Sequence, residues 1–258
     1  MMSRKIAFFP LLCVALCLSS VAADEFPDAD IRWILDKYNV SQPQSLIAAE
    51  GLVGWTKPGG REIAAPSKWS NKEGKLTLEF SDRTRDFQGG DIVTSKQYTN
   101  FVLDFAWIAS KGINNGIKYR VKDFGETRAR LAKGWLGCEY QILDENAGSF
   151  GKGSTGSLYQ LFAPDKETKK LHPFGERNTG RVIVLDNHIE HWLNGKKVMQ
   201  CEVGSDAWKQ AVADSKFKRD DGTSFGFGEN PTGYLMITDH GGTIIYDKIV
   251  VREIGEKR

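Results

Sequence analysis

The chain has 258 residues, 35 of them Lys or Arg and 33 Asp or Glu, with 11% aromatics, 27 glycines and only 8 prolines. So balanced a charge argues against nucleic acid or an anionic membrane as partner, since both need a concentrated positive surface. The length fits one large all-β domain as well as two small ones, and no stretch in the middle has the composition of a linker.

Residues 1–23 read as a secretory signal: Arg4 and Lys5, the apolar run 6–18, then the small residues of 19–23. The apolar part is too short to span a bilayer, and no later segment is long and apolar enough to do so. Leu16 before Cys17 is not the small residue of a lipoprotein signal, so cleavage and a secreted or periplasmic location are expected. Cleavage removes two basic residues and leaves the mature chain close to neutral. It also leaves only Cys138 and Cys201, which either pair or persist as buried thiols.

Residues 24–50 form an N-terminal extension to a domain of residues 51–258. Within the extension, Ile31, Ile34 and Leu35 recur at helical spacing and predict a short helix over 28–38, capped by Asp28 or Asp30. Strands follow over 75–80, 91–95 and 100–109. In the last of these Phe101, Leu103, Phe105 and Trp107 share one face, and Val102, Ala106 and Ile108 dominate the other, the pattern of a strand buried on both sides.

The segment 114–121 alternates Asn114, Gly116, Lys118 and Arg120 against Asn115, Ile117, Tyr119 and Val121. Its polar set is either a solvated edge guarded by lysine or a row of donors for an oxygen-rich ligand. The segment 137–144 puts Cys138, Tyr140 and Ile142 on one face and Glu139, Gln141 and Leu143 on the other. A carboxylate inside an apolar strand needs open water or a polar site around it, and the site is the favoured reading.

The glycine-rich stretch 145–154 has no phosphate-loop spacing and reads as a rim loop. Further strands are expected over 157–162, 181–186, 188–193 and 197–203, the last two joined by the hairpin signal Asn194-Gly195. A helix is expected over 206–213. The strands 233–239 and 243–254, joined through His240-Gly241-Gly242, look like a closing hairpin. About a dozen short strands at regular spacing predict an antiparallel sandwich or barrel.

Several short motifs occur in order: Gly54-Trp55; Asn114-Asn115-Gly116-Ile117 ending at Arg120; Gly137 with Glu139, Gln141 and Asp144; Gly156 with Tyr159; Trp192-Leu193-Asn194-Gly195; Ser215-Lys216-Phe217; and Gly233 through Asp239-His240-Gly241. From about Trp55 to Ile254 this ordered set resembles the 3-keto-disaccharide (3-keto-glycoside) hydrolase domain family. The resemblance implies an all-β, concanavalin A-like jelly-roll sandwich of two curved antiparallel sheets, with one or two short peripheral helices and the ligand on the concave face. It also implies action on glycosides already oxidised to a ketone at carbon 3.

Such a ketone acidifies the hydrogen on carbon 2, so elimination followed by hydration gives net hydrolysis. The route needs a base near carbon 2, a positive or hydrogen-bonding group at the enolate oxygen, and an acid for the leaving oxygen. The expected catalytic residues are Glu139 and His240, either of which serves as base or acid, with Arg120 and Lys118 at the enolate or at hydroxyls. Asn114, Lys118, Gln141, Tyr159 and Asp239 are expected to hold the sugar.

His240 is otherwise a turn histidine paired to Asp239, and packing or exposure accounts for His188 and His191. Glu139, Asp144, Asp239 and His240 are the oxygen and imidazole donors that would suit a divalent metal such as Ca²⁺, with Asp144 and Asp239 foremost. Trp107, Trp135, Tyr159 and Trp192 are either sugar platforms or core. The rival reading is a lectin-like carbohydrate-binding module without turnover. An ordinary glycanase is disfavoured, because no strand carries two glutamates in an E-x-D-x-x-E pattern.

Overall fold

The structure, a computed structural model, describes residues 25–80, 89–125, 134–145, 150–218 and 226–258. The expected signal, residues 1–23, lies outside the described residues. The strands are β1 (Tyr38–Val40), β2 (Gln44–Ser45), β3 (Trp55–Thr56), β4 (Trp69–Lys72), β5 (Lys75–Leu78), β6 (Ile92–Tyr98) and β7 (Phe101–Ala109). They continue with β8 (Asn114–Asp123), β9 (Trp135–Leu143), β10 (Arg177–Leu185), β11 (His188–Leu193), β12 (Lys196–Glu202), β13 (Gly233–Ile237) and β14 (Ile244–Lys257). The helices are α1 (Arg32–Leu35), which follows a 3₁₀ turn at Asp28–Ile31, and α2 (Asp206–Ala213).

All pairings are antiparallel and form two sheets, the jelly-roll sandwich expected. The larger runs β12-β11-β10-β7-β14-β5-β4, with β1 and β2 also paired to β14; the smaller runs β3-β6-β13-β8-β9. Between them lies the main core. Phe101, Leu103, Phe105 and Trp107 of β7 meet Cys138, Tyr140 and Ile142 of β9, with the Phe105 and Tyr140 rings edge to face at 5.0 Å. Cys138 and Cys201 are free thiols, and burial pushes the Cys138 thiol up to about 12.

β7 is indeed buried on both sides, and the N-terminal extension is the reason. Ile31 and Ile34 pack with Val102, Ile183 and Ile254 on the outer face of the larger sheet. Beside them Arg181 Nε donates to Asp104 Oδ1 at 2.5 Å, both residues buried. Desolvation pushes the Asp104 carboxyl above the usual range against the pull of Arg181. The predicted helix is shorter than expected, and Pro27 holds the cap position in place of Asp28 or Asp30. Those acids serve the sheet: Asp28 accepts from Arg252 at 2.5 Å and Asp30 from Arg181 at 3.4 Å.

The β11–β12 hairpin turns at Asn194 (φ 47) and Gly195 (φ 73), as the Asn-Gly pair requires. The closing pair is no hairpin. β13 lies in the smaller sheet between β6 and β8, whereas β14 crosses to the larger sheet beside β7 and β5. The stretch 157–162 is no full strand either. Leu158 bridges Tyr140 on one side and Phe162 on the other, and Gln160 turns the chain at φ 67.

Candidate active site

Strand alternation sends Ile117, Tyr119, Cys138, Tyr140 and Ile237 into the core, so their neighbours face away from it. The register then sets those neighbours in rows. Lys118 stands opposite Glu139, Gly116 opposite Gln141, and Asn114 opposite Leu143. Met236 stands on the other side of Lys118. Beyond β13 the ladder continues, Thr238 N–H donating to Gly116 O at 3.0 Å and His240 N–H to Asn114 O at 3.1 Å. On the other edge of β9, where residues 156–159 bond along the strand, Tyr159 N–H donates to Glu139 O at 3.0 Å. One face of the smaller sheet thus carries Lys118, Glu139 and Tyr159 in one row, Thr238 and Gln141 in the next, and His240 with Asn114 in a third.

Glu139 is 4% exposed although it faces away from the core. Its carboxylate lies over Gly116, whose missing side chain makes the room. A Cβ there would collide with Glu139 Oε1 and stand 2.9 Å from both Glu139 Cγ and Tyr140 O. Thr238 Oγ1–H donates to Glu139 Oε1 at 3.3 Å. Gln141 Nε2–H donates to Asn114 Oδ1 at 3.1 Å, so both amides are held in one orientation. Tyr159 is half-buried, with Lys216 Nζ 3.4 Å from its hydroxyl and 4.5 Å from its ring centroid. Lys216 stood in a sequence motif but was not expected at the site; no local pattern joins it to a tyrosine 57 residues earlier.

His240 is exposed on the same face. Two strands and two rows separate it from Glu139, roughly 16 Å between Cα atoms at ordinary strand spacings. At that separation the two do not address the same carbon.

Arg120 is not on this face. A bulge between Tyr119 and Lys122, with Arg120 at φ 52, breaks the alternation and turns its side chain inward, 1% exposed. There its guanidinium donates to Gly228 O at 2.9 Å and to Asp186 O. It ties the smaller sheet to the β10–β11 turn and is a structural residue.

Asp239 also points the other way. Buried at 1% exposure, it accepts from Gly90 N–H at 2.7 Å, while its own N–H donates to Asp91 Oδ1 at 2.9 Å. Asp144 accepts from Gly112 N–H at 2.7 Å at the end of β9. Each of the two carboxylates foremost for a metal is thus tied through one oxygen to a separate turn, and among the described residues no three His, Cys, Asp or Glu side chains converge on one point.

The remaining candidates divide by position. Trp107 is core, stacked on Phe105 at 5.6 Å. Trp192 donates from Nε1 to Glu190 at 2.8 Å on the larger sheet, away from Glu139. Trp135 lies on the Glu139 side of β9, packed on Tyr234 at 5.7 Å. His191 is wholly buried in the core. Its Nδ1–H donates to Gly156 O at 3.1 Å and its Nε2 accepts from Tyr119 O–H at 2.8 Å, since a carbonyl can only accept. Burial pushes its pKa down to about 3, so it stays neutral. His188 bridges Glu190 and Glu202 at the surface of the larger sheet.

The signature of the 3-keto-alpha-glucoside-1,2-lyase-like domain matches residues 42–252. The chain belongs to that family. A relative in Bacteroides thetaiotaomicron, named a 3-keto-disaccharide hydrolase, is 27% identical over 96% of this chain and 99% of its own. A crystal structure from Parabacteroides distasonis, described as a candidate glycosyl hydrolase, is 27% identical with a TM-score of 0.65, covering 82% of this chain and 93% of that one. A second from the same species, at 23% identity and a TM-score of 0.57 over 82% and 99% of the two chains, shares the fold. Membership of the 3-keto-alpha-glucoside-1,2-lyase-like family makes this a glycosyl hydrolase-like, carbohydrate-active protein.

Proposed function

We propose that the chain cleaves glycosides carrying a ketone at carbon 3, and that Glu139 is the base. Its carboxylate removes the proton from carbon 2, and the electron pair of that bond forms an enolate whose charge rests on the carbon 3 oxygen. The enolate collapses to a carbon 1–carbon 2 double bond and the carbon 1–oxygen bond breaks. Water then adds to carbon 1 while carbon 2 regains a proton from Glu139. Lys118, directly across the strand pair, stands where the enolate charge develops. Gln141 and Asn114 hold hydroxyls, and His240 and Trp135 lie farther out along the same face.

What supports this reading above all is the setting of Glu139: a carboxylate on the ligand side of the sheet, seated over a glycine, bonded by Thr238 and faced by a lysine. The test is incubation with 3-keto-glucosides and their unoxidised parents. Turnover is expected of the ketone alone, with kcat lowered about 10²–10⁴-fold in Glu139→Gln, the range for loss of a general base. His240→Ala is expected to raise KM more than it lowers kcat. Sugar binding without turnover of either set would replace this reading with a lectin-like module. Export belongs to the same proposal, and a mature protein beginning at Asp24 in the secreted or periplasmic fraction, identified by mass, is its check.

A further inference from the structure

Three neighbouring segments present Lys118, Glu139 and Tyr159 side by side. Lys118 is opposite Glu139 on β8, and Tyr159 flanks it on the other edge of β9. Adjacent strands are about 4.8 Å apart, so the three residues span about 10 Å across the sheet, with the Glu139 carboxylate leaning from its strand over Gly116 toward Thr238. The reacting atoms of a 3-keto-glycoside also form a line: ketone oxygen on carbon 3, acidic hydrogen on carbon 2, leaving oxygen on carbon 1. When Glu139 meets carbon 2, Lys118 and Tyr159 are its neighbours on opposite sides across the sheet.

Lys216 decides which end is the acid. An ammonium only donates, so its contact at 3.4 Å falls on the Tyr159 hydroxyl oxygen and leaves the phenolic hydrogen directed away from it. The same contact puts positive charge beside an oxygen that becomes negative when its proton leaves. The lysine is fixed from both sides. Ser215 Oγ–H donates to Val212 O at 2.8 Å at the end of α2, Phe217 N–H donates to Ser215 Oγ at 3.0 Å, and the Phe217 ring stacks on Phe227 at 4.0 Å.

Resting on the reaction proposed above, we infer that Tyr159 is the acid for the leaving group and that Lys216 is its positioning residue. When the carbon 1–oxygen bond breaks, its electron pair goes to the leaving oxygen, which takes the Tyr159 proton. The phenolate is held by Lys216. In the return step water bonds to carbon 1 and gives its proton to the phenolate, while Glu139 returns its proton to carbon 2. The substrate is thereby oriented, with the ketone toward Lys118 and the leaving group over the outer edge of β9, on the side of residues 156–160.

The experiment compares 3-keto-glucosides carrying a methyl and a 4-nitrophenyl leaving group. The alkoxide needs a proton; the nitrophenolate does not. Tyr159→Phe is expected to lower kcat at least about 10²-fold for the methyl glycoside and less than tenfold for the nitrophenyl one. Exchange of the carbon 2 hydrogen in deuterated water is expected to persist in Tyr159→Phe and to vanish in Glu139→Gln. Lys216→Ala is expected to give the same leaving-group dependence more weakly, with KM unchanged, and Lys216→Arg to restore it.

Equal losses on both leaving groups in a folded Tyr159→Phe variant, or loss of exchange with them, would overturn the assignment of the acid. A wild-type protein that neither exchanges nor cleaves 3-keto-glycosides would instead overturn the reaction itself.

Discussion

Replacing Gly116 by Ala adds one methyl group directly beneath the Glu139 carboxylate. The new Cβ would collide with Oε1 and stand 2.9 Å from both Cγ of Glu139 and the carbonyl oxygen of Tyr140. Carbon contacts settle near 3.5–4.0 Å, so something must give by about 1 Å. The Tyr140 oxygen belongs to a strand paired on both sides, so the carboxylate is the part that moves. A misplacement of that size costs about 10²-fold in rate, or about 2.7 kcal/mol of transition-state stabilisation.

Overpacking costs a further 1–3 kcal/mol of stability, about 2–12 °C of melting temperature for a chain of this size. The assay pairs kcat on a 3-keto-glucoside with thermal melting. Two of the three close contacts are with Glu139, so the stability cost is expected to shrink when the same change is made in a Glu139→Ala background. A Gly116→Ala protein with wild-type kcat and melting temperature would refute the seating of the carboxylate over this glycine.

Two further predictions test residues assigned to structure. His191 is buried neutral, with a pKa near 3 against 6.5 in an unfolded chain, so the unfolded state binds the extra proton between these values. Its contribution is complete above pH 6.5 and is lost as pH falls, by about 2 kcal/mol between pH 6.5 and 5. The stability difference between wild type and His191→Gln, from urea titrations across this window, is expected to narrow toward acid; a constant difference would show that the ring is not held neutral. Arg120→Ala leaves the buried Gly228 O and the part-buried Asp186 O without their donor and is expected to cost about 1–3 kcal/mol while kcat per folded molecule stays within threefold. A large loss of kcat at unchanged stability would return Arg120 to the active site.

The parts of the fold legible in the sequence are those written in local alternation. β7, β8, β9 and the β11–β12 hairpin announce themselves through side chains two apart and an Asn-Gly turn, and the placing of Glu139 and Gln141 on a common face follows from the same rule. What alternation cannot reveal is where it breaks or which strand lies alongside. One bulged residue reverses Arg120, and Asp239 falls on the inner side by the same two-residue period that places His240 outside. The separation of β13 from β14 and the docking of Lys216 on Tyr159 are long-range pairings with no local mark.

β14, the last strand, occupies the middle of the larger sheet, between β7 on one side and β5, β2 and β1 on the other. Its far end, Lys257, pairs with Tyr38, and Arg258 N–H donates to Lys37 O at 2.9 Å. A growing chain therefore carries the two halves of that sheet with a gap between them until β14 is made, and the first helix has no completed surface to rest on. Closure of this architecture waits on synthesis of β14, and a chain cut off before Ile244 would be not a smaller protein but an unclosed one.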